Sequence, residues 1–206
     1  LVFSIVIMIL VFFVYYLITI IHLVFERRRI GKIFFADTVT GGYNWLYFVE
    51  KAKKALKRSR FNHKQYVLAQ IHLEKYGSIT ACYGSGEAED ILESIYWNLK
   101  KMTVRKEIVV RNENENFALL LLYENEQKLT ERVERMISNL CKIRGDQKLY
   151  FTAGICKIDN PRDEIETIYN SAGIARSTIG NDSVQKVMWF NVEMQQQKLW
   201  EKKVED

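Results

Sequence analysis

Proline, which interrupts helices and strands, occurs only once among the 206 residues of this chain, at Pro161. The sequence also lacks internal repeats and low-complexity linkers, which argues against a solenoid or a long disordered segment. Its three cysteines, Cys82, Cys141 and Cys156, are far apart and follow no metal-binding spacing. We therefore expect reduced cysteines, as in a cytoplasmic domain, and no cysteine-based metal site.

Charge of either sign is missing from the first 25 residues, which contain no Lys, Arg, Asp or Glu. A helix of that length extends roughly 37 Å, which is enough to cross a bilayer. No basic segment precedes the stretch and no small-residue cleavage site follows it, so it does not read as a signal peptide. We predict a transmembrane helix. A buried core helix is the alternative, although such a helix rarely keeps both faces apolar for so long.

Positive charge follows this apolar run directly, at Arg27, Arg28, Arg29 and Lys32. Basic residues beside a membrane span mark its cytoplasmic side. We therefore assign residues 1–31 to a transmembrane helix with a basic juxtamembrane segment. The protein is expected in the inner or plasma membrane, with its soluble domain in the cytoplasm. The sequence opens inside the apolar run without a methionine, so we expect a fragment of a longer protein.

The net charge of +5 is modest, and much of it lies on one predicted helix beyond the membrane. The residues concerned are Lys51, Lys53, Lys54, Lys57, Arg58 and Arg60. We interpret them as a solvated helix face, with contact to anionic lipid headgroups as the alternative. No basic stripe is interleaved with exposed aromatic residues, so the sequence does not predict binding to nucleic acid.

The rest of the chain alternates between helical and strand periodicity. Helices are predicted over residues 44–59, 87–101, 126–143, 162–179 and 191–206. Strands are predicted over residues 66–73, 107–112, 116–123, 148–158 and 187–190. This order predicts an α+β domain whose central, mainly antiparallel sheet is flanked by helices. Residues 117–122 are apolar at every position, so this strand should lie inside the sheet with both faces covered.

Short motifs in this soluble part follow one another in a characteristic order. Residues 37–44 read DTVTGGYN, similar to D-x-L-T-G-L-x-N, and residues 84–92 read GSGEAEDIL, similar to G-H-x-x-G-D-x-x-L. EIVVR at 107–111 resembles D-L-V-A-R, a strand that leads into a signature turn. FALLL at 117–121 resembles the strand that leaves that turn. TAGI at 152–155 resembles S-x-G-I-A. Together they resemble a GGDEF domain, the diguanylate cyclase fold of bacterial cyclic-di-GMP signalling, over about residues 35–190. We assign residues 32–191 to this domain.

The resemblance places the family's signature, G-G-D/E-E-F, on Glu113, Asn114, Glu115, Asn116 and Phe117. In the family this turn lies against the GTP phosphates, and its glycines allow a left-handed backbone and close approach. Asn114 can still adopt that conformation. Glu113 adds bulk and negative charge where phosphate would lie, and Asn116 cannot act as a carboxylate base or ligand. We therefore expect no intact catalytic residues here.

Other positions that the resemblance implies for nucleotide and metal are also altered. The family's two Mg²⁺ carboxylates fall on His72 and Glu115, and imidazole is a poor ligand for that hard ion. Two ligands do not make a zinc site, so we expect a packed or hydrogen-bonded His72. The family's guanine-reading Asn and Asp fall on Thr80 and Glu89, and Asn44 is the remaining nucleotide-binding remnant. Mg²⁺ with GTP is expected only if the pocket survives.

Two further features of the family have counterparts here. Its inhibitory product site, R-x-x-D, falls on residues 104–107 with Val104 at the arginine position, so we expect that site to be absent or weak. Asp37 and Arg111 occupy positions that pair in the family, and we predict an ion pair between them.

Residues 192–206 resemble the helix that connects a GGDEF domain to a following EAL phosphodiesterase domain. A helix that packs on its own domain is the alternative.

The resemblance implies a membrane-anchored, catalytically inactive GGDEF domain that acts as a regulatory or GTP-sensing module. Two alternatives stay open. One is an active diguanylate cyclase that condenses two GTP as a homodimer, and the other is a structural dimerisation domain.

Overall fold

The first helix, α1 (Val2–Phe34), carries apolar side chains on all of its faces. Its segment Phe3–Glu26 has 24 residues and a mean hydropathy of 2.8, and none of that segment is buried within the structure. At about 1.5 Å per residue the segment is long enough to cross a bilayer. The transmembrane helix predicted from the sequence therefore falls on a segment with the required length and composition.

The computed structural model describes residues 2–62, 64–145, 148–180 and 183–205. The chain divides into two compact units, Leu1–Ala36 and Asp37–Asp206. The second unit contains, in chain order, α2 (Trp45–Asn62), β1 (Gln65–Leu73), α3 (Tyr76–Tyr83), α4 (Ser85–Met102), β2 (Ile108–Arg111), β3 (Asn116–Tyr123), α5 (Glu126–Leu140), β4 (Phe151–Lys157), α6 (Ile165–Ser177), β5 (Val187–Trp189) and α7 (Val192–Glu205).

Five strands form one mixed sheet in the order β2-β3-β1-β4-β5. The pairs β2–β3, β3–β1 and β1–β4 are antiparallel, and β4–β5 is parallel. The predicted α+β class with a mainly antiparallel sheet is therefore confirmed. β3 lies between two partners, and its residues 117–121 are all buried. Its uninterrupted apolar sequence had indicated such an interior strand.

Alternate residues of the central strand β1 pack into two separate cores, because successive side chains of a strand point to opposite faces. Val67, Ala69 and Ile71 belong to the cluster that includes the apolar faces of α4 and α5. Tyr66 and Leu68 belong to the cluster that includes α2 and α6. Helices therefore cover both faces of the sheet, and the strand ends and hairpins at its edges are left to form a site.

The helix α3 is absent from the sequence-based assignment, which left residues 74–86 without an element. Its eight residues, YGSITACY, include Gly77 and the β-branched Ile79 and Thr80, which all weaken helical preference. None of its residues is buried, so no apolar periodicity marks it. It ends at Gly84, whose φ of 85° suits glycine, and α4 begins at the next residue.

Gly154 of β4 sets how closely α6 approaches the sheet. A Cβ atom at Gly154 would lie 1.9 Å from the carbonyl oxygen of Ala172 and 2.6 Å from the backbone nitrogen of Arg176. Because the obstacle is backbone, we expect Gly154→Ala to lower the free energy of unfolding by roughly 2–3 kcal/mol. The measurement is thermal or urea unfolding of the detergent-solubilised chain, followed by tryptophan fluorescence.

Gly77→Ala is the matched control, because a Cβ atom at Gly77 would have no neighbour within 4 Å. We expect that helix substitution to be neutral or to stabilise by up to about 1 kcal/mol. Equal losses of stability from both substitutions would show that the close approach of α6 to β4 is not what Gly154 secures.

Candidate functional site

A hydrogen-bonded turn begins the second unit and presents Asp37 to the sheet. The Oδ2 atom of Asp37 accepts hydrogen bonds from the backbone amide of Thr40 at 2.9 Å and from its hydroxyl at 2.6 Å. The amide of Gly41, at φ 64°, donates to the Asp37 carbonyl. Just beyond, the side chain of Asn44 accepts from the amide of Tyr47 at 3.1 Å, as an N-cap does at the start of α2.

Asp37 and Arg111 form the ion pair predicted from the sequence. The Nε atom of Arg111 donates to Oδ2 at 3.0 Å, and Nη2 donates to Oδ1 at 2.9 Å, so the contact is bidentate. The two side chains are only 13% and 10% exposed, which limits screening by solvent. Burial alone would raise the pKa of Asp37, but hydrogen bonds from Arg111 and Thr40 outweigh it and hold the pKa below its ordinary value.

Arg111 also orients the hairpin turn that follows β2. Its Nη1 atom donates to the carbonyl of Asn114 at 2.7 Å. In that turn Glu113 has φ 46° and Asn114 has φ 44°, so two adjacent residues with side chains hold the left-handed conformation. The amide of Asn116 donates to the Glu113 carbonyl at 3.1 Å, which closes the turn. The signature positions thus keep a backbone suited to glycine although neither residue is one.

His72, at the end of β1, lies directly opposite Asn116 of β3 in the antiparallel register. Its Nδ1 atom is 2.9 Å from the amide oxygen of Asn116, a hydrogen bond in which the amide oxygen accepts. Its Nε2 atom is 3.9 Å from a carboxylate oxygen of Glu74 and 3.9 Å from one of Glu115. The expectation that His72 is hydrogen-bonded is confirmed.

Glu74 is a member of this group that the sequence analysis missed. It accepts a hydrogen bond from the Thr152 hydroxyl at 2.5 Å, and Arg176 approaches the same oxygen at 3.8 Å. The sequence signal that could have found Glu74 is an acid two residues after His72, at the end of a buried strand.

Within the described ranges no three His, Cys, Asp or Glu side chains are grouped as a metal-binding set. An imidazole between the two carboxylates does not fit Mg²⁺, which prefers oxygen ligands.

The three residues aligned with nucleotide binding, Thr80, Glu89 and Asn44, lie on α3, on α4 and at the start of α2. The hydroxyl of Thr80, on α3, donates to the Tyr76 carbonyl at 3.1 Å within the same helix. Glu89, on α4, is exposed. Asn44 caps α2 through its side-chain oxygen. The roles of these three residues in nucleotide binding stay predictions.

The window aligned with the product site contains a carboxylate that is used inside the domain. Glu107, whose side chain has no exposed surface, receives both guanidinium Nη groups of Arg132 at 2.6 Å. The backbone amides of Val104 and Leu122 donate to it at 2.9 and 3.0 Å. Burial alone would raise its pKa, but these bonds outweigh it and hold the pKa of Glu107 below its ordinary value. Glu107 therefore ties β2 to α5.

Solved GGDEF domains share this architecture. DgcB from Caulobacter crescentus, solved as its coiled coil and GGDEF domain with c-di-GMP, has a TM-score of 0.71 at 12% identity, over 83% of this chain and 93% of the solved one. SiaD from Pseudomonas aeruginosa, solved with its activator SiaC, has a TM-score of 0.68 at 17% identity, over 84% of this chain and 69% of the solved one. The active GGEEF domain of a Vibrio cholerae diguanylate cyclase has a TM-score of 0.63 at 12% identity, over 72% of this chain and 97% of the solved one. At such identities the likeness establishes the fold alone.

The mixed sheet, its two helical layers and the turn after β2 define a GGDEF-type α+β domain. The sequence matches the family described as diguanylate cyclase, GGDEF domain, over residues 34–183. The chain therefore belongs to the GGDEF family of cyclic-di-GMP signalling, as the sequence motifs implied. No curated protein sequence matches the chain.

The pairing of Asp37 makes stability depend on pH. The carboxyl has a depressed pKa in the native state, so its contribution is present above the unfolded pKa of about 3.9 and is lost as pH falls through the native value. We expect Asp37→Asn to be about 2 kcal/mol less stable than the wild type at pH 7. The difference should narrow between pH 4 and pH 2. Urea unfolding of both proteins across that range measures it, and a constant difference would contradict the linkage.

The left-handed turn gives a second stability prediction. Glu113→Gly removes the steric cost of a side chain at φ 46°, so we expect stabilisation by roughly 0.5–1 kcal/mol. Glu113→Ala removes the same carboxylate but keeps a Cβ atom, and we expect no gain from it. Thermal unfolding of the two variants compares them directly. Equal gains would assign the effect to charge instead of backbone strain.

Proposed function

We propose that this chain is a membrane-anchored, catalytically inactive GGDEF module that regulates cyclic-di-GMP signalling. The observation that carries the proposal is the contact between His72 and Asn116, 2.9 Å apart. Both residues stand where the resemblance places acidic groups for metal and chemistry. An imidazole supplies no oxygen ligand for Mg²⁺, and an amide supplies no carboxylate base, so this pair lacks two groups that a Mg²⁺-dependent cyclase would use here.

Electrostatics at the turn also opposes cyclase chemistry. Glu113 is exposed at the tip of the turn, while Glu115 and Glu74 lie on either side of His72. Glu113 adds a carboxylate where the family has glycine, so it would repel the GTP phosphates at the turn. The side chain of Arg111 is already directed to Asp37 and to the turn carbonyl of Asn114. This charge pattern supports a site that has kept its hairpin but not its reaction.

A comparison of signature sequences supports the same proposal. The Vibrio cholerae domain described as active has the signature GGEEF. The corresponding residues here are ENENF, so one of two acids remains, at Glu115, and both glycines are replaced. The retained left-handed backbone supports a role in which GTP is bound without turnover. Any Mg²⁺ would arrive with GTP and would not strengthen its binding.

Anchoring and output belong to the same proposal. The apolar segment Phe3–Glu26 would hold the domain at the inner or plasma membrane, with the following arginines on the cytoplasmic side. At the other end α7 begins at a cap formed by Asn191, whose side chain accepts from the Met194 amide at 2.9 Å. Lys198 of α7 donates to the hydroxyl of Ser177 at 2.8 Å. We propose that α7 passes the state of the GGDEF domain to a downstream EAL domain or to a second copy.

The test measures GTP binding and turnover on the chain reconstituted in nanodiscs of zwitterionic lipid. We expect no cyclic-di-GMP by chromatography after prolonged incubation with GTP and Mg²⁺. We also expect micromolar GTP binding that Mg²⁺ does not strengthen, because the oxygen ligand at residue 72 is missing. Glu113→Lys should tighten this binding if GTP lies against the turn.

Turnover by the unaltered chain would overturn the proposal in favour of an active diguanylate cyclase. Absence of GTP binding would leave a structural, dimerising domain. The positive control restores the signature through His72→Asp, Glu113→Gly, Asn114→Gly and Asn116→Glu together. Mg²⁺-dependent GTP binding by that variant alone would show that the fold is competent and that only the site has changed.

A further inference from the structure

Polar residues are few within the membrane-length segment Phe3–Glu26 of α1, and they are not scattered around the helix. The segment contains six of them, which are Ser4, Tyr15, Tyr16, Thr19, His22 and Glu26. At about 100° per residue, all of them except Tyr16 fall within an arc of roughly 60°. The residues inside that arc form what we call the polar seam, namely Ser4, Tyr15, Thr19, His22 and Glu26.

The polar seam lies on a surface that no other described part of the chain covers. All of its residues are exposed, and none of the segment Phe3–Glu26 is buried within the structure. The Thr19 hydroxyl donates to the Tyr15 carbonyl of its own helix at 2.9 Å. This bond leaves the hydroxyl oxygen able to accept a hydrogen bond from a second helix.

The depth of the polar seam is unusual for its residue types. Tyr15 lies in the middle of the segment, about 17 Å along the helix from either end at 1.5 Å per residue. Tyrosine in membrane helices is enriched at the interfaces, where its hydroxyl reaches water. A phenol at mid-span is too far from both interfaces to do so, and a polar group in hydrocarbon is costly without a partner. The polar seam therefore marks the face of α1 that a second helix would cover.

A second copy of α1 has the orientation and the spacing that fit this face. Both copies would cross the membrane in the same direction, because the basic residues that follow Glu26 set the orientation. In a symmetric parallel pair, equal positions face each other. Met8, Tyr15 and His22 recur every seven residues, which is the repeat of a left-handed helix pair.

The polar groups of two copies also complement each other. Helical side chains point toward the N-terminus, so the Glu26 carboxylate of one copy reaches the level of His22 in the other. The imidazole is a donor, and it carries a positive charge when it is protonated, whereas the carboxylate is an acceptor of opposite charge. Two Tyr15 hydroxyls that face each other can share a hydrogen bond, because each both donates and accepts.

We propose that the polar seam pairs two copies of α1 into a parallel transmembrane dimer, in which His22 binds Glu26 of the second copy and the two Tyr15 hydroxyls bind each other. The proposal rests on the membrane anchoring proposed above and on no residue of the soluble unit. It also differs from a dimer formed across two nucleotide sites, because the contact lies within the membrane.

The first test measures association of the whole chain in liposomes of zwitterionic lipid. Chains labelled at the C-terminus with a donor or an acceptor fluorophore are mixed, and energy transfer is followed as the protein-to-lipid ratio is varied. We expect transfer that saturates as a dimer does. Tyr15→Phe and His22→Leu should each weaken association roughly three- to tenfold, which is the effect of one lost interhelical hydrogen bond.

Tyr16→Phe is the matched control for Tyr15→Phe. It removes the same hydroxyl at nearly the same depth, but from a position about 100° around the helix and outside the polar seam. We expect it to change association less than about twofold. Both variants keep the apolar length of α1, so both should float with liposomes in a density gradient as the unaltered chain does.

Disulfide cross-linking locates the contact independently of the soluble unit. The background removes the native cysteines through Cys82→Ala, Cys141→Ala and Cys156→Ala. Met8→Cys and Val11→Cys place one new thiol on the face of the polar seam, and Phe13→Cys and Ile20→Cys place it on the opposite face. After mild oxidation in liposomes we expect covalent dimers from the first two variants and few from the other two.

Four results would overturn the proposal. Equal weakening by Tyr15→Phe and Tyr16→Phe would show that the polar seam is not the contact. Equal cross-linking from both faces would show unspecific collision, and none from Met8→Cys and Val11→Cys would leave the polar seam to a different membrane helix. A chain that floats with liposomes but shows no energy transfer would overturn this inference alone. A chain that does not float would overturn the anchoring as well.

Discussion

The bidentate pair between Asp37 and Arg111 is the interaction on which the arrangement of this domain depends. One guanidinium group binds the first turn of the domain, through Asp37, and the hairpin turn, through the carbonyl of Asn114. The contact joins residues 74 positions apart in sequence. Because it is only slightly exposed, losing one partner would leave the other charge partly buried and unpaired. The pair explains why the hairpin keeps its position although its own residues have diverged from the family signature.

Backbone conformation and site chemistry are separable in this turn. Glu113 and Asn114 hold left-handed φ values that glycine would adopt at lower cost, and the cross-strand register keeps Asn116 opposite His72. The conformation is fixed by the pairing of β2 with β3 and by Arg111, and these depend on strand residues outside the turn. The functional groups at the turn depend only on which side chains occupy it. A fold can therefore retain its hairpin after the carboxylates that bind metal are lost.

Much of the fold could be predicted from the sequence, because the strands and the amphipathic helices carry clear periodicity. The strand Asn116–Tyr123 was assigned with the bounds that the structure shows, and the pairing of Asp37 with Arg111 was predicted from the resemblance to the family, in which these positions pair. The short helix Tyr76–Tyr83 could not be predicted, since it buries no residue. Neither could the burial of Glu107 against Arg132, whereas Glu74 had a local signal that was missed, because it follows His72 by two residues. Contacts of this kind are set by register and helix packing, which bring together residues that no local pattern connects.

Charge is distributed unevenly over this domain, and the signature turn carries one carboxylate, that of Glu113, where the family has glycine. Acidic groups, Glu74, Glu113 and Glu115, are at or near the hairpin turn, where the GTP phosphates would lie. Cations converge instead in a cleft beside α2, where Lys64 and Lys106 are adjacent. Like charges near each other repel, and solvent screens part of that repulsion between exposed lysines. A nucleotide phosphate that approaches this domain would therefore meet repulsion at the signature turn and attraction beside α2.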